Sequence, residues 1–102
     1  MTNYSRGASF ERMVKADLER HGYFAMRSAG SHGIVDIVAI RHLEPWFVQV
    51  KLDGYMSPEE RRELADLCAN VCATPIMASK KKGGGIQYRR LLANDEWEGV
   101  KP

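Results

Sequence analysis

The chain has little net charge, +2 from 15 Lys and Arg against 13 Asp and Glu. Total charge therefore identifies no nucleic-acid partner, and only its distribution can. Long apolar runs are lacking: none approaches the roughly 20 residues that span a bilayer, and Met1 to Arg12 has no apolar core of a signal peptide. An intracellular, cytoplasmic protein with no membrane partner is expected. Cysteine is scarce. Cys68 and Cys72 lie four residues apart in an apolar helical pattern, which suits buried thiols in a reducing compartment better than a bridge or a zinc site. No internal repeat or low-complexity segment appears. With 102 residues and 44% hydrophobic content the chain can bury one modest core, so residues 1–102 should form a single domain.

What is present is an ordered series of helix and strand patterns. From about Ala8 to His21, Phe10, Val14 and Leu18 recur at helical spacing with Met13 beside them, and Gly22 supplies a stop. Seven residues at roughly 100° each nearly complete two turns, so Glu11 falls about twenty degrees from Leu18 and its carboxylate flanks the core-facing stripe. Asp17 points the same way, with a local pair to Arg20 or His21 as its plain explanation. Tyr23 to Arg27 reads as a short strand and Ser28 to Gly33 as a loop, in which Gly30 and Gly33 permit unusual backbone angles.

Ile34 to Ile40 is almost uniformly apolar and β-branched, the composition of a strand buried on both faces, and Asp36 is its only charge. After a turn at His42 to Pro45, alternation over Trp46 to Leu52 sends Trp46, Val48 and Val50 to one face and Phe47, Gln49 and Lys51 to the other. Ser57, Pro58, Glu59 and Glu60 form a capping box that opens a helix whose buried face is Leu64, Leu67, Cys68, Val71 and Cys72. Pro75 to Ser79 and Ile86 to Leu92 read as strands joined by the Lys80 to Gly85 tip. From about Ala93 an acidic C-terminal tail should be irregular apart from Trp97. Helix, three strands, helix and two strands predict an α/β sandwich with a mixed central sheet covered by the second helix.

An ionised carboxylate in an apolar central strand is costly unless a cation, a positive side chain or hydrogen bonds compensate it. In a register that the short turn permits, Asp36 faces Gln49 across the hairpin, and directly opposed residues share one face. Asp36, Gln49 and Lys51 then line one pocket, which Glu11 joins if the first helix packs over that face. Two carboxylates and an amide oxygen suit Mg²⁺, with Mn²⁺ as a substitute. A lysine beside such a cation can orient water and neutralise charge growing on a phosphate, which is the chemistry of phosphodiester hydrolysis.

These residues resemble the archaeal-type Holliday junction resolvases, within the PD-(D/E)xK nuclease superfamily. The likeness runs through Gly7-Ala8-Ser9-Phe10-Glu11-Arg12, Gly22-Tyr23, Arg27-Ser28-Ala29-Gly30-Ser31, Val35-Asp36-Ile37-Val38-Ala39 and Gln49-Val50-Lys51. It implies a restriction-endonuclease-like fold, with a mixed central sheet flanked by helices, and a Mg²⁺-dependent endonuclease acting on four-way DNA junctions as a homodimer. On that likeness Glu11 is the helix-borne acid, Asp36 the main metal ligand, Val50 a carbonyl ligand, Lys51 the catalytic lysine and Ser31 a loop serine near the scissile phosphate. Val35 departs from the signature proline, which shapes the chain without doing chemistry. Gln49 departs from the usual glutamate and supplies an oxygen without its charge, so metal affinity should fall.

Read singly, Glu11 would be a solvated helix residue and Lys51 a strand-edge charge; their coincidence with Asp36 carries the argument. Lys80, Lys81, Lys82, Arg89 and Arg90 occur without an intervening acid. Three adjacent lysines on a glycine-rich tip suit phosphate contact without base reading, a solubilising turn being the plain alternative. Arg6, Arg12 and Arg27 are candidates to extend that DNA surface. The leading function is cleavage of branched DNA; the alternatives are a nicking or flap nuclease of the VRR-NUC type and a non-catalytic DNA-binding module.

Overall fold

Apolar residues four apart build the first element, α1 (Asn3–Arg20), and bury Phe10, Val14 and Leu18. A computed structural model describes residues 3–28 and 33–102, with side chains from residue 7 onward. Helix α1 begins earlier than the Ala8 start read from the apolar pattern and stops at Gly22, whose φ of 88° favours glycine. Met13, expected beside the core stripe, is exposed.

Strand β1 (Phe24–Arg27) pairs antiparallel with β2 (Ile37–Arg41), and β2 with β3 (Glu44–Val50). His42 and Leu43 alone turn the chain, both left-handed at φ 53° and 62°, the twist a two-residue hairpin demands. The turn is thus shorter than read, and Pro45 stands in β3 opposite Ile40. β3 runs parallel to β4 (Thr74–Lys80), a pairing that needs a crossover, and α2 (Pro58–Val71) supplies it. The capping box that starts α2 is present as read: the Glu60 amide donates to Ser57 Oγ at 3.1 Å and Ser57 N donates to Glu60 Oε1 at 3.0 Å.

β5 (Ile86–Leu91) pairs antiparallel with β4, and β6 (Trp97–Val100) with β5. The tail expected to be irregular therefore closes the six-stranded sheet, whose strands follow chain order. Its polar sequence hid it because half of an edge strand faces water: Glu98 sits opposite Arg90 and pairs with it, while Trp97 packs inward.

The helices lie on opposite faces. On one, Phe10, Val14 and Leu18 of α1 meet Ile37, Ala39, Trp46, Val48, Ile76 and Tyr88. On the other, Leu64 and Cys68 of α2 meet Met56 and Met77, with Ile34, Val35, Phe47 and Trp97 around them. Each fully buried aliphatic side chain contributes about 1.5–3 kcal/mol. Leu67, Val71 and Cys72, read as core, are exposed, and Cys72 has left the helix at φ 58°. Cys68 is buried, which pushes its thiol up to about 11 and keeps it unreactive. Because α2 packs over β4, the β1–β2 end of its face stays bare, with Phe24 64%, Met26 53% and Ile40 40% exposed. No helix among the described residues is long and apolar enough to cross a membrane.

Candidate active site

Asp36 stands at the entrance to β2, not inside a strand that begins at Ile34, because pairing starts at Ile37. Its amide donates to Val48 O at 2.8 Å, and continuing the Ile37–Val48 register by one residue sets Asp36 opposite Gln49, as the hairpin argument requires. Val50 N donates to Asp36 Oδ2 at 2.8 Å. Burial pushes the Asp36 carboxyl up to about 6; the Val50 hydrogen bond opposes the rise, the Glu11 charge adds to it, and Lys51 and Arg27 oppose it.

Gln49 is buried at 8% exposure, and its Oε1 has no hydrogen-bond partner among the described residues. An acceptor left without a donor in the interior costs about 1–3 kcal/mol, so this oxygen stands ready for a positive ligand. Lys51 follows the end of β3, where its amide donates to Ala78 O at 2.9 Å. Its ammonium reaches Glu60 Oε2 at 2.6 Å. No pattern in the sequence links these two residues. The capping box is visible in the sequence, but only the folded loop between β3 and α2 brings Glu60 to the end of β3.

Glu11 does not arrive by the expected route. Helix α1 packs on the Trp46 and Val48 face, opposite to the one that Gln49 shares with Phe47, because Phe10, Val14 and Leu18 fit that core. Glu11 approaches at the end of the sheet where β1 finishes, and Arg27, the last residue of β1, donates to its Oε1 at 3.2 Å. It is still close enough to raise the Asp36 carboxyl. Among the described residues no three His, Cys, Asp or Glu side chains cluster as metal ligands. A cation here would depend on Asp36, the Gln49 amide oxygen, the Val50 carbonyl and Glu11. Asp17 belongs elsewhere: it pairs with Arg20 at 3.0 Å, as its spacing suggested, and accepts from Tyr88 Oη at 2.8 Å.

The basic candidates divide. Lys80, Lys81 and Lys82 are exposed at the β4–β5 tip, and Lys80 lines an open cleft of about 580 Å³ with Ser9, Met13 and Leu52. That cleft joins the lysine tip to the helix that carries Glu11. Arg12 is exposed on the same helix. Arg89 and Arg90 cannot share one surface, since they oppose Met77 and Ile76 on opposite faces of the sheet. Arg89 donates to Gln87 Oε1 at 3.0 Å, and Arg90 is paired with Glu98. Arg27 is engaged with Glu11. Ser31 and the side chain of Arg6 lie outside the described residues.

A six-stranded mixed sheet with a helix on each face and Asp36, Gln49 and Lys51 at adjacent strand ends defines a restriction-endonuclease-like domain. A family model described as archaeal Holliday junction resolvase (Hjc) matches residues 2–98, and the chain belongs to that family. It is 34% identical over 84 residues to the crossover junction endodeoxyribonuclease Hjc of Methanocaldococcus jannaschii, covering 78% of this chain and 62% of that relative. It thus spans less than two thirds of the length of that relative. It superposes on Archaeoglobus fulgidus Hjc, a Holliday junction resolvase from an archaeal hyperthermophile, with a TM-score of 0.70 and 25% identity over 81% of this chain and 70% of the other.

Proposed function

We propose that this protein is a Mg²⁺-dependent endonuclease that cleaves four-way DNA junctions inside the cell. The observation that carries the reading is the buried Gln49 Oε1, without a partner among the described residues, beside an Asp36 carboxyl held up by burial. Both are groups that a hard divalent cation would satisfy, and Mn²⁺ would fit the same oxygens. Asp36, Gln49 and the Val50 carbonyl would hold the ion, with Glu11 beside them. When bound, it supplies Lewis-acid polarisation of the phosphodiester. Lys51 would orient the attacking water and neutralise charge that develops on the phosphate, and Arg27 would keep Glu11 in place. Ser31 is proposed near the scissile phosphate. The exposed Lys80, Lys81 and Lys82 would grip backbone phosphates, with Arg6 and Arg12 extending the surface along α1.

Preference for branched DNA follows from family membership, and two active sites would match the near-twofold symmetry of a junction. The bare strip of Phe24, Met26 and Ile40 supports a homodimer, because three neighbouring large apolar side chains are seldom left to water. The decisive experiment incubates the protein with labelled four-way junction, flap and plain duplex, with Mg²⁺, Mn²⁺ or EDTA. Metal-dependent nicking of two junction strands of like polarity is expected, with duplex spared. Flap cutting alone would replace the junction reading. Tight junction binding without cleavage under any metal would leave a DNA-binding module in which the uncharged Gln49 has weakened the metal site.

A further inference from the structure

Lys51 is the one residue of the proposed centre whose reacting group sits on a long flexible chain. An unrestrained lysine side chain carries about 2 kcal/mol of rotamer entropy, so a lysine that must meet a phosphate at a fixed point benefits from an anchor. Glu60 is placed to be that anchor. Its two carboxylate oxygens have separate partners: Oε1 accepts from Ser57 N at 3.0 Å, and Oε2 accepts from Lys51 Nζ at 2.6 Å. The first bond belongs to the capping box of α2 and fixes the glutamate rotamer. The second then fixes the ammonium. The backbone on the lysine side is held as well, by Lys51 N to Ala78 O at 2.9 Å and Gly54 N to Lys51 O at 3.0 Å. Burial raises the Glu60 carboxyl, but the hydrogen bonds from Lys51 and Ser57 hold it below its ordinary value, so the acid stays ionised as an anchor must.

We propose that Glu60 is a positioning residue for the reaction, using the N-terminal cap of α2 to set where the Lys51 ammonium stands. The inference rests on the nuclease reading above. Glu60 is not a ligand of the cation in this scheme; its Oε2 is committed to the Lys51 ammonium. It acts through Lys51 and touches no reacting atom.

The test compares three proteins. Glu60→Gln retains one acceptor oxygen for two donors, so the cap and the lysine compete for it. Ser57→Ala removes the Ser57 Oγ bond to the Glu60 amide and weakens the helix start, while the Ser57 N and Lys51 bonds to the carboxylate remain. Junction cleavage is measured at saturating Mg²⁺, together with KM, the melting temperature and NMR relaxation at the Lys51 Cε. Glu60→Gln should lower kcat by about 10- to 100-fold, the range for partners that orient a catalytic group, with KM unchanged and Lys51 freed. Ser57→Ala should lose comparable thermal stability with kcat and Lys51 rigidity intact. Unchanged kcat in Glu60→Gln beside an active wild type overturns the proposal. So does a Lys51 equally mobile in wild type and Glu60→Gln, whatever the cleavage. An equal loss of kcat in both variants also overturns it, because the role would then be only that of a helix cap. A wild type that cleaves no DNA is the separate failure of the nuclease reading.

Discussion

The amide of Val50 donates to Oδ2 of Asp36 at 2.8 Å, so a ladder donor of β3 is satisfied by a side chain from the start of β2. The contact ties the carboxylate to the strand that carries Gln49 and leads into Lys51, and it opposes the desolvation of Asp36.

The Asp36 carboxyl should impose a pH dependence on the stability of the metal-free protein. Its folded pKa of about 6 exceeds the ordinary 3.8, so between these values the folded state binds more protons than the unfolded one. Its contribution to stability is complete below about pH 4 and is lost as pH rises through 6. Asp36→Asn should remove this loss. After allowance for solvent screening the variant should be about 1–2 kcal/mol more stable than wild type at pH 8, with the two converging at pH 4. It should also abolish cleavage while folding and junction binding persist. Denaturant titrations across this range check the stability; parallel curves for the two proteins would show that Asp36 titrates normally.

Gln49→Glu restores a carboxylate at the unpartnered oxygen. Added charge at metal–ligand distance should tighten Mg²⁺ or Mn²⁺ binding by roughly tenfold or more, about 1.4 kcal/mol. Calorimetric titration reads this directly. Unchanged affinity would place Gln49 outside the coordination sphere.

Lys51→Ala should lose cleavage by about 100-fold or more while keeping metal affinity, since the ammonium acts on charge in the transition state. Single-turnover rates and a metal titration on the same preparation separate the two effects. Near-normal turnover would end the assignment of Lys51.

Replacing Lys80, Lys81 and Lys82 together by alanine should weaken junction and duplex binding alike and spare chemistry at saturating DNA. If all three meet phosphates, the slope of log affinity against log salt should flatten by roughly 2 to 3 units, and by up to about double that in a dimer. A wild-type slope would make the tip a solvated turn and move the search to Arg6 and Arg12 on α1.

Phe24→Lys with Ile40→Lys should convert a dimer to monomer by sedimentation velocity. The two residues oppose each other on β1 and β2 and are already exposed, so the fold should survive. Dimers that persist at the same concentration would place the interface elsewhere.

Local pattern determined much of this protein. The helical spacing of Phe10, Val14 and Leu18, the Ser57–Glu60 box, the alternation of Trp46 through Lys51 and the Asp36–Gln49 register were all legible, because periodicity and capping depend on neighbours within a few residues. Tertiary structure decided the rest. Glu11 meets the site from the end of β1 because α1 took the opposite face of the sheet, a choice made by core shape that no wheel records. Trp97 to Val100 becomes a strand only because β5 offers an open edge, and its residues show no alternation of their own. Lys51 finds Glu60, nine residues further on, only because the loop after β3 turns at Gly54 and sets the first turn of α2 against the strand end. Contacts of that kind depend on where whole elements pack, and the energies that place them are spread over many residues too distant in the chain for a sequence pattern to display.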